Sequence, residues 1–179
     1  MDHSPIFITG YMACGKTTFG RALARKLGRE FIDLDFYIEQ RFRRSVSDIF
    51  ALEGEVGFRD KETKMLKEAG EFEDVVIACG GGTPCFNDNM DFMLSHGKVV
   101  YLDTSVDRIV ERLEANRSRR PLMASKTSDE LRSAVEKGLA QRLPHYMRAH
   151  IKFSGELLED RRQIADSISR FLAETGLVS

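Results

Sequence analysis

The stretch Gly10-Tyr-Met-Ala-Cys-Gly15-Lys16-Thr17 constrains this chain more than any other. It matches G-x-x-x-x-G-K-[ST] with both glycines, the lysine and the hydroxyl in register. Glycines let the backbone turn with φ > 0 and come close to an anion. The N–H groups of such a loop form a concave cradle at a helix N-terminus, where partial positive charge favours phosphate. Lys16 adds a point charge for the outer phosphates of a nucleotide, and Thr17 offers a hydroxyl to Mg²⁺. Ile6-Phe7-Ile8 before the loop reads as a buried strand. Phe19, Ala22, Leu23, Ala24 and Leu27 after it recur at helical spacing, and Gly28 reads as the helix's terminal glycine. A glycine turn without a ligand is the plain alternative, but it does not require this combination of motif and flanks.

The same alternation continues. Short apolar runs at Phe31-Ile32-Asp33, Val75 to Ala78, Val99 to Leu102 and Ile151 to Phe153 read as strands. Helical patterns fall between them. One covers Phe36 to Phe42. Another covers Val46 to Leu52, opened by Ser45, and a further helix follows Gly54. Others cover Asp88 to Ser95 and Val106 to Leu113. Thr127 and Glu130 are spaced as a capping box for a helix running toward Arg142, and Ile164, Ile168, Phe171 and Leu172 mark the last. Strands alternating with helices predict an α/β fold, a parallel sheet covered on both faces. Ligands then sit beyond the carboxyl ends of the strands. The glycine loop, Asp33 with Asp35, and Gly80-Gly81-Gly82 all follow strands directly and are expected to converge there.

Length and composition set bounds. The 179 residues suit one domain, 1–179, with 42% hydrophobic and 31% charged residues. A net charge of −1 gives no overall field for nucleic acid or an anionic membrane. The basic stretch Asn116-Arg-Ser-Arg-Arg-Pro121 lacks the interleaved aromatics of a single-strand binder. No apolar run is long enough to span a bilayer. Cys14, Cys79 and Cys85 make no metal pattern, and an odd count with no secretory signal points to reduced thiols and the cytoplasm.

The chemistry-bearing residues leave choices open. Asp33 and Asp35 would share one face of an extended segment. One can hold a metal and the other can take a proton from an attacking hydroxyl; both can equally be turn and cap aspartates. Asp103 is read as structural. Three consecutive glycines imply close approach of a ligand to bare backbone, or a tight turn. Arg59 can clamp a carboxylate with two parallel hydrogen bonds, or pair with Asp60 or Glu62. The stretch 116–126 reads as a mobile lid bringing an arginine to the phosphates, or as a solvated basic loop.

The set Gly10 to Thr17, Asp33-x-Asp35, Leu52-Glu-Gly-Glu-x-Gly57-Phe58-Arg59-Asp60, Gly80 to Gly82, Arg120-Pro121-Leu122 and Arg142-x-Pro144-x-Tyr146 resembles shikimate kinase, a family of small P-loop kinases, over nearly the whole chain. The resemblance implies a three-layer α/β/α fold with a five-stranded parallel sheet, a substrate-binding region about 33–61 and a lid about 116–126. It implies transfer of the γ-phosphoryl of ATP to the 3-hydroxyl of shikimate, with Mg²⁺, by a monomer. Asp35 would then be the base and, with Arg59, Gly81, Gly82 and Arg142, would bind shikimate. Ala13, Cys14, Gly15, Lys16, Thr17 and Thr18 would hold ATP, with Arg112 at the adenine. Lys16 and Arg120 would act on the phosphates, Arg120 chosen over Arg117 and Arg119 by the proline after it. Thr17 and Asp33 would place the metal. A gluconate-type sugar-acid kinase is the nearest rival, and Arg59 with Arg142 and the triple glycine favours shikimate. A GTPase switch would carry N-K-x-D, which the sequence lacks. A binding-only relative would not be expected to keep Lys16, Asp35 and the lid arginines.

Overall fold

The computed structural model describes residues 2–116 and 127–177. Five strands, β1 (Ile6–Thr9), β2 (Glu30–Asp33), β3 (Val75–Ala78), β4 (Lys98–Asp103) and β5 (Ile151–Ser154), form one sheet in the order β2-β3-β1-β4-β5. Every pairing is parallel. β1 is central, paired through Phe7 with Ile77 on one side and Val99 on the other.

Strand side chains alternate between faces, and each face has its own core. Ile6 and Ile8 pack with Val76, Val100 and Leu102 against Phe19, Leu23 and Phe171. These come from helix α1 (Lys16–Leu27) and the C-terminal helix Arg161–Thr175. Phe19, Phe153 and Phe171 form a ring cluster with centroids 5.1 to 5.6 Å apart, joining both helices to β5. On the opposite face Phe7, Ile77 and Val99 meet Leu34, Ile38, Met65, Leu66 and Met93. Those belong to α2 (Leu34–Phe42), α3 (Val46–Gly70) and α4 (Asn89–His96). A third cluster joins Tyr11 and Tyr101 to α5 (Val106–Ala115) and α6 (Ser128–Tyr146) through Leu113, Leu131, Val135 and Tyr146. The C-terminal helix is accordingly α7. Among the described residues, no helix is long and apolar enough to cross a membrane.

The caps explain most boundaries. Gly28 ends α1 at φ 69°. Ser45 caps α3 through Asp48 N, and Thr127 with Glu130 forms the expected capping box of α6. Three boundaries differ from expectation. α2 begins at Leu34, because Asp33 is both the last strand residue and the helix cap, accepting from Phe36 N. Asp35 therefore lies in a first helical turn, and the two aspartates do not share an extended face. α6 runs past Pro144 to Tyr146 rather than stopping near Arg142. The helices on either side of Gly54 are joined end to end as α3, kinked where Gly54 takes φ 69°, ψ −173°.

That backbone conformation is open in practice to glycine alone, and side chains placed there cost about 1–3 kcal/mol. No side chain crowds Gly54, so strain is the only term. Gly54→Ala is expected to lower unfolding free energy by about that amount in urea titrations; an unchanged midpoint would mean that the kink relaxes freely.

Candidate functional site

The carboxyl ends of β1, β2 and β3 open onto a cleft of about 600 Å³. Ala13, Gly15, Lys16, Thr17, Thr18, Asp33, Asp35, Gly81 and Arg112 all line it, with Met12, Gly80, Asn116, Leu158 and Glu159. The expected convergence therefore occurs. Cys14 is buried beneath the loop at 1% exposure and does not line the cleft.

The loop 10–15 is shaped by crowding as well as by torsion. Gly10 and Gly15 take φ 143° and 104°. A Cβ on Gly10 would stand 2.8 Å from both Cys14 Sγ and the Leu102 carbonyl, and one on Gly15 would stand 2.5 Å from Leu158. Ala13 is the non-glycine residue of the loop with a left-handed φ, 61°. Lys16 Nζ donates to the carbonyls of Gly10 (2.9 Å) and Tyr11 (2.8 Å), which holds the ammonium across the loop's mouth. Arg112 ties the loop to the segment after β5. Its Nη1 donates to Ala13 O at 3.3 Å, its Nη2 to Gly155 O at 2.8 Å, and its Nε to Glu159 at 2.8 Å. The guanidinium expected at an adenine is thus also a brace between two chain segments.

Thr17 Oγ1 donates to Asp33 Oδ2 at 2.8 Å. This pairs two hard oxygens at the start of α1. Among the described residues no cluster of three or more His, Cys, Asp or Glu could hold a metal. A two-oxygen set fits Mg²⁺, which keeps several waters and shares its remaining positions with phosphate oxygens. Asp35 lies on the cleft wall, and its pKa is pushed up to about 6. The residue is exposed at the cleft wall, yet the surrounding protein lowers the hydration of its carboxyl; that is the largest cause, followed by the Asp33 and Glu62 carboxylates, with Lys16 opposing. Such a group suits proton transfer near neutral pH.

Gly80 and Gly81 line the cleft, whereas Gly82, Arg59 and Arg142 do not, and the reason for the triple glycine is packing. None of the three takes a positive φ. A Cβ on Gly82 would stand 2.5 Å from Arg59 Nη2, one on Gly81 3.3 Å from Arg142 Nη1, and one on Gly80 3.1 Å from Glu62 and 3.2 Å from Asp35. The bare backbone thus admits the protein's own charged side chains. Arg59, 12% exposed, pairs with Glu62 Oε2 at 2.8 Å and Glu55 at 3.4 Å, and stacks 4.1 Å from the Phe86 ring. The pairing with Glu62 is one of the expected alternatives, but it is buried rather than superficial. Arg59 Nε is buried with no acceptor among the described residues. Arg142 stands over the Tyr11 ring, 5.2 Å from its centroid.

Sequence reasoning did not find Glu62 as a hub or the contact that Tyr146 makes. Glu62 also accepts from Thr83 Oγ1 at 2.6 Å, and Tyr146 Oη donates to Gly81 O at 2.6 Å. Tyr146 already stood inside the Arg142-x-Pro144-x-Tyr146 pattern, which was the available signal. Asp103 accepts from Tyr101 Oη at 2.9 Å and pairs with Lys152 at 3.0 Å, in keeping with a structural reading. Arg117, Arg119, Arg120 and the expected lid from 117 to 126 lie outside the described residues.

Comparison with known proteins bears on this geometry. A family model described as shikimate kinase matches residues 12–173. A shikimate kinase of Bacteroides thetaiotaomicron is 49% identical over 165 residues, covering 92% of this chain and 94% of that protein. A crystal structure of the shikimate kinase from Bacteroides thetaiotaomicron superposes with a TM-score of 0.94 at 47% identity, covering 97% of this chain and 99% of that one. A shikimate kinase from Acinetobacter baumannii in complex with shikimate gives a TM-score of 0.82 at 34% identity, covering 96% and 92%.

The Asp35 environment makes a stability prediction. Its carboxyl is harder to ionise in the folded chain than at its ordinary value of 3.8, so ionisation opposes folding above about pH 6. Below the ordinary value both states are protonated and the opposition vanishes. Asp35→Asn is therefore expected to melt higher than the parent at pH 8, with the gain shrinking to nothing near about pH 4. A gain of equal size at both pH values would point to a cause other than charge.

Proposed function

The chain belongs to the shikimate kinase family, and from that membership and the site we infer that it transfers the γ-phosphoryl group of ATP to the 3-hydroxyl of shikimate, giving shikimate 3-phosphate and ADP. We propose the following division of labour. The N–H groups of 13–18 bind the ATP phosphates, with Lys16 supplying charge at the outer ones. Thr17 and Asp33 would hold Mg²⁺, which would supply neutralisation of phosphate charge. Asp35 accepts the proton of the 3-hydroxyl as that oxygen bonds to the γ-phosphorus and the bond to the β-phosphate oxygen breaks. Arg59 and Arg142 bind the shikimate carboxylate, and Gly81 and Gly82 let both guanidiniums stand against the substrate. Arg112 supports the adenine side, and Arg120 of the 116–126 lid comes onto the phosphates.

One observation carries this reading. Asp35 lines the cleft with the Lys16 loop, and Gly80, whose Cβ would stand 3.2 Å from Asp35, begins the glycine run against which Arg142 and Arg59 pack at Gly81 and Gly82. A small hydroxylated carboxylate placed with its charge on the arginines would present a hydroxyl to Asp35. The three free cysteines support a reducing, cytoplasmic setting.

ADP release from Mg-ATP is the direct test. Release should depend on shikimate and stay low with gluconate or no acceptor, because a closed site excludes water from the phosphoryl group. Fast release without acceptor would count against the proposed lid. Release with gluconate and not with shikimate would replace the substrate and keep the kinase.

Asp35→Asn isolates the base. It should lower kcat by roughly 10²–10⁴ while ATP binding, read by calorimetry, is mostly kept. Full turnover in that variant would remove Asp35 from the chemistry.

A further inference from the structure

Tyr11 is the second residue of the phosphate loop, yet its side chain leaves the loop. The ring is 4% exposed and lies against Gly138 of α6, where a Cβ would stand 3.1 Å from two ring carbons. Gly138, Arg142 and Tyr146 are spaced by four and so share one face of α6. Each touches the same region: Gly138 receives the Tyr11 ring, Arg142 lies over it, and Tyr146 holds the Gly81 carbonyl at 2.6 Å. The loop's backbone abuts that wall too, since a Cβ on Gly81 would stand 3.4 Å from Met12 N.

We propose that Tyr11 is a positioning residue for substrate binding: its ring face, seated on Gly138, fixes the Arg142 guanidinium where the substrate carboxylate is received. This rests on the reading of Arg142 as a carboxylate ligand. The physics is a cation over a π face at 5.2 Å, within the range where the ring quadrupole attracts a guanidinium. An arginine side chain otherwise has many rotamers to choose among, and ordering it at binding would weaken affinity. Tyr11 restricts that freedom before substrate arrives. Arg142 also opposes the rise that burial gives the Tyr11 pKa, so its charge is felt at the phenol. The charged and polar groups facing this contact are Lys16, bonded to the Tyr11 carbonyl at 2.8 Å, and Tyr146, near enough to Arg142 for the two to interact. Neither carboxylate of the site, Asp35 or Glu62, bonds Arg142 among the described contacts.

The consequence is specific. The nucleotide loop sets the substrate's carboxylate clamp through a side chain, so loss of the ring should appear in the KM for shikimate and not in the KM for ATP. A structural defect in the loop would do the reverse, or move both.

The test replaces Tyr11 by phenylalanine and then by phenylalanines carrying one, two and three ring fluorines, which keep the shape while draining the π face. Cation–π contacts span about 0.5–2 kcal/mol, so the KM for shikimate should climb stepwise to a total of about 2- to 30-fold, with the KM for ATP unmoved. Tyr11→Phe itself should stay near the parent, since the ring and not the hydroxyl is invoked. Arg142→Ala is measured in parallel, and it should raise the KM for shikimate and abolish the fluorine dependence. If Arg142→Ala raises that KM while the fluorine series is flat, the Tyr11 proposal fails and the clamp stands. If Arg142→Ala leaves it unchanged, the clamp reading itself fails, and the proposal with it. A fluorine dependence that persists in the Arg142→Ala background would show the ring acting on something else, and would overturn the proposal.

Discussion

The wall built from glycines 80–82 depends on one buried ion pair. Glu62 is 1% exposed and would be an untenable charge alone, but Arg59 Nη1 and Thr83 Oγ1 occupy its two oxygens at 2.8 and 2.6 Å. Removing one partner from such a pair costs about 3–5 kcal/mol, because the other charge stays buried. The pair also organises its surroundings. Thr83 opens the 3₁₀ turn Thr83–Cys85, whose carbonyl at 83 accepts from Asn89 Nδ2 at the start of α4. Arg59 is clasped between Phe58 and Phe86. The position of the glycine wall, and so the width of the cleft, follows from where this carboxylate is.

The two halves of the site are built on different principles. The loop half is mostly backbone, shaped by left-handed torsions at Ala13 and Gly15, by the Cys14 N–H bond to the Tyr11 carbonyl and by Arg112, which ties it to the segment after β5. The other half sets Asp35 close to Asp33 and Glu62, where ionisation is uphill. Like charges that disfavour the folded chain are the same ones that leave Asp35 able to take a proton. If Asp35 is the base proposed above, function and stability pull against each other at that residue.

Much of this was legible in the sequence, for physical reasons that can be named. The phosphate loop is local: its glycines, lysine and threonine act within one strand–turn–helix unit. Strand positions were legible because central parallel strands are apolar on both faces, as β1, β3 and most of β4 are. The aspartates were found, but with the wrong local geometry, since Asp33 both ends a strand and caps a helix and the two roles read alike in a short window. Arg142 and Tyr146 reach Gly81 across more than sixty positions, and no local pattern carries that information. The same holds for Leu158 over Gly15 and Glu159 on Arg112. The triple glycine was read as room for a ligand, when most of the room is taken by Arg59, Arg142 and Glu62.

That crowding ties residues together in descent. Position 82 cannot accept even a methyl group while Arg59 keeps its place 2.5 Å away, whereas at position 81 a shift of a few tenths of an ångström in Arg142 would suffice. A lineage could not drift at position 82 first and repair Arg59 later, because each intermediate would have displaced a charged group from its pocket. The two would have to change in concert or not at all. Wall and guanidinium are one packing unit, so a side chain introduced at 82 would have to push Arg59 out of its place.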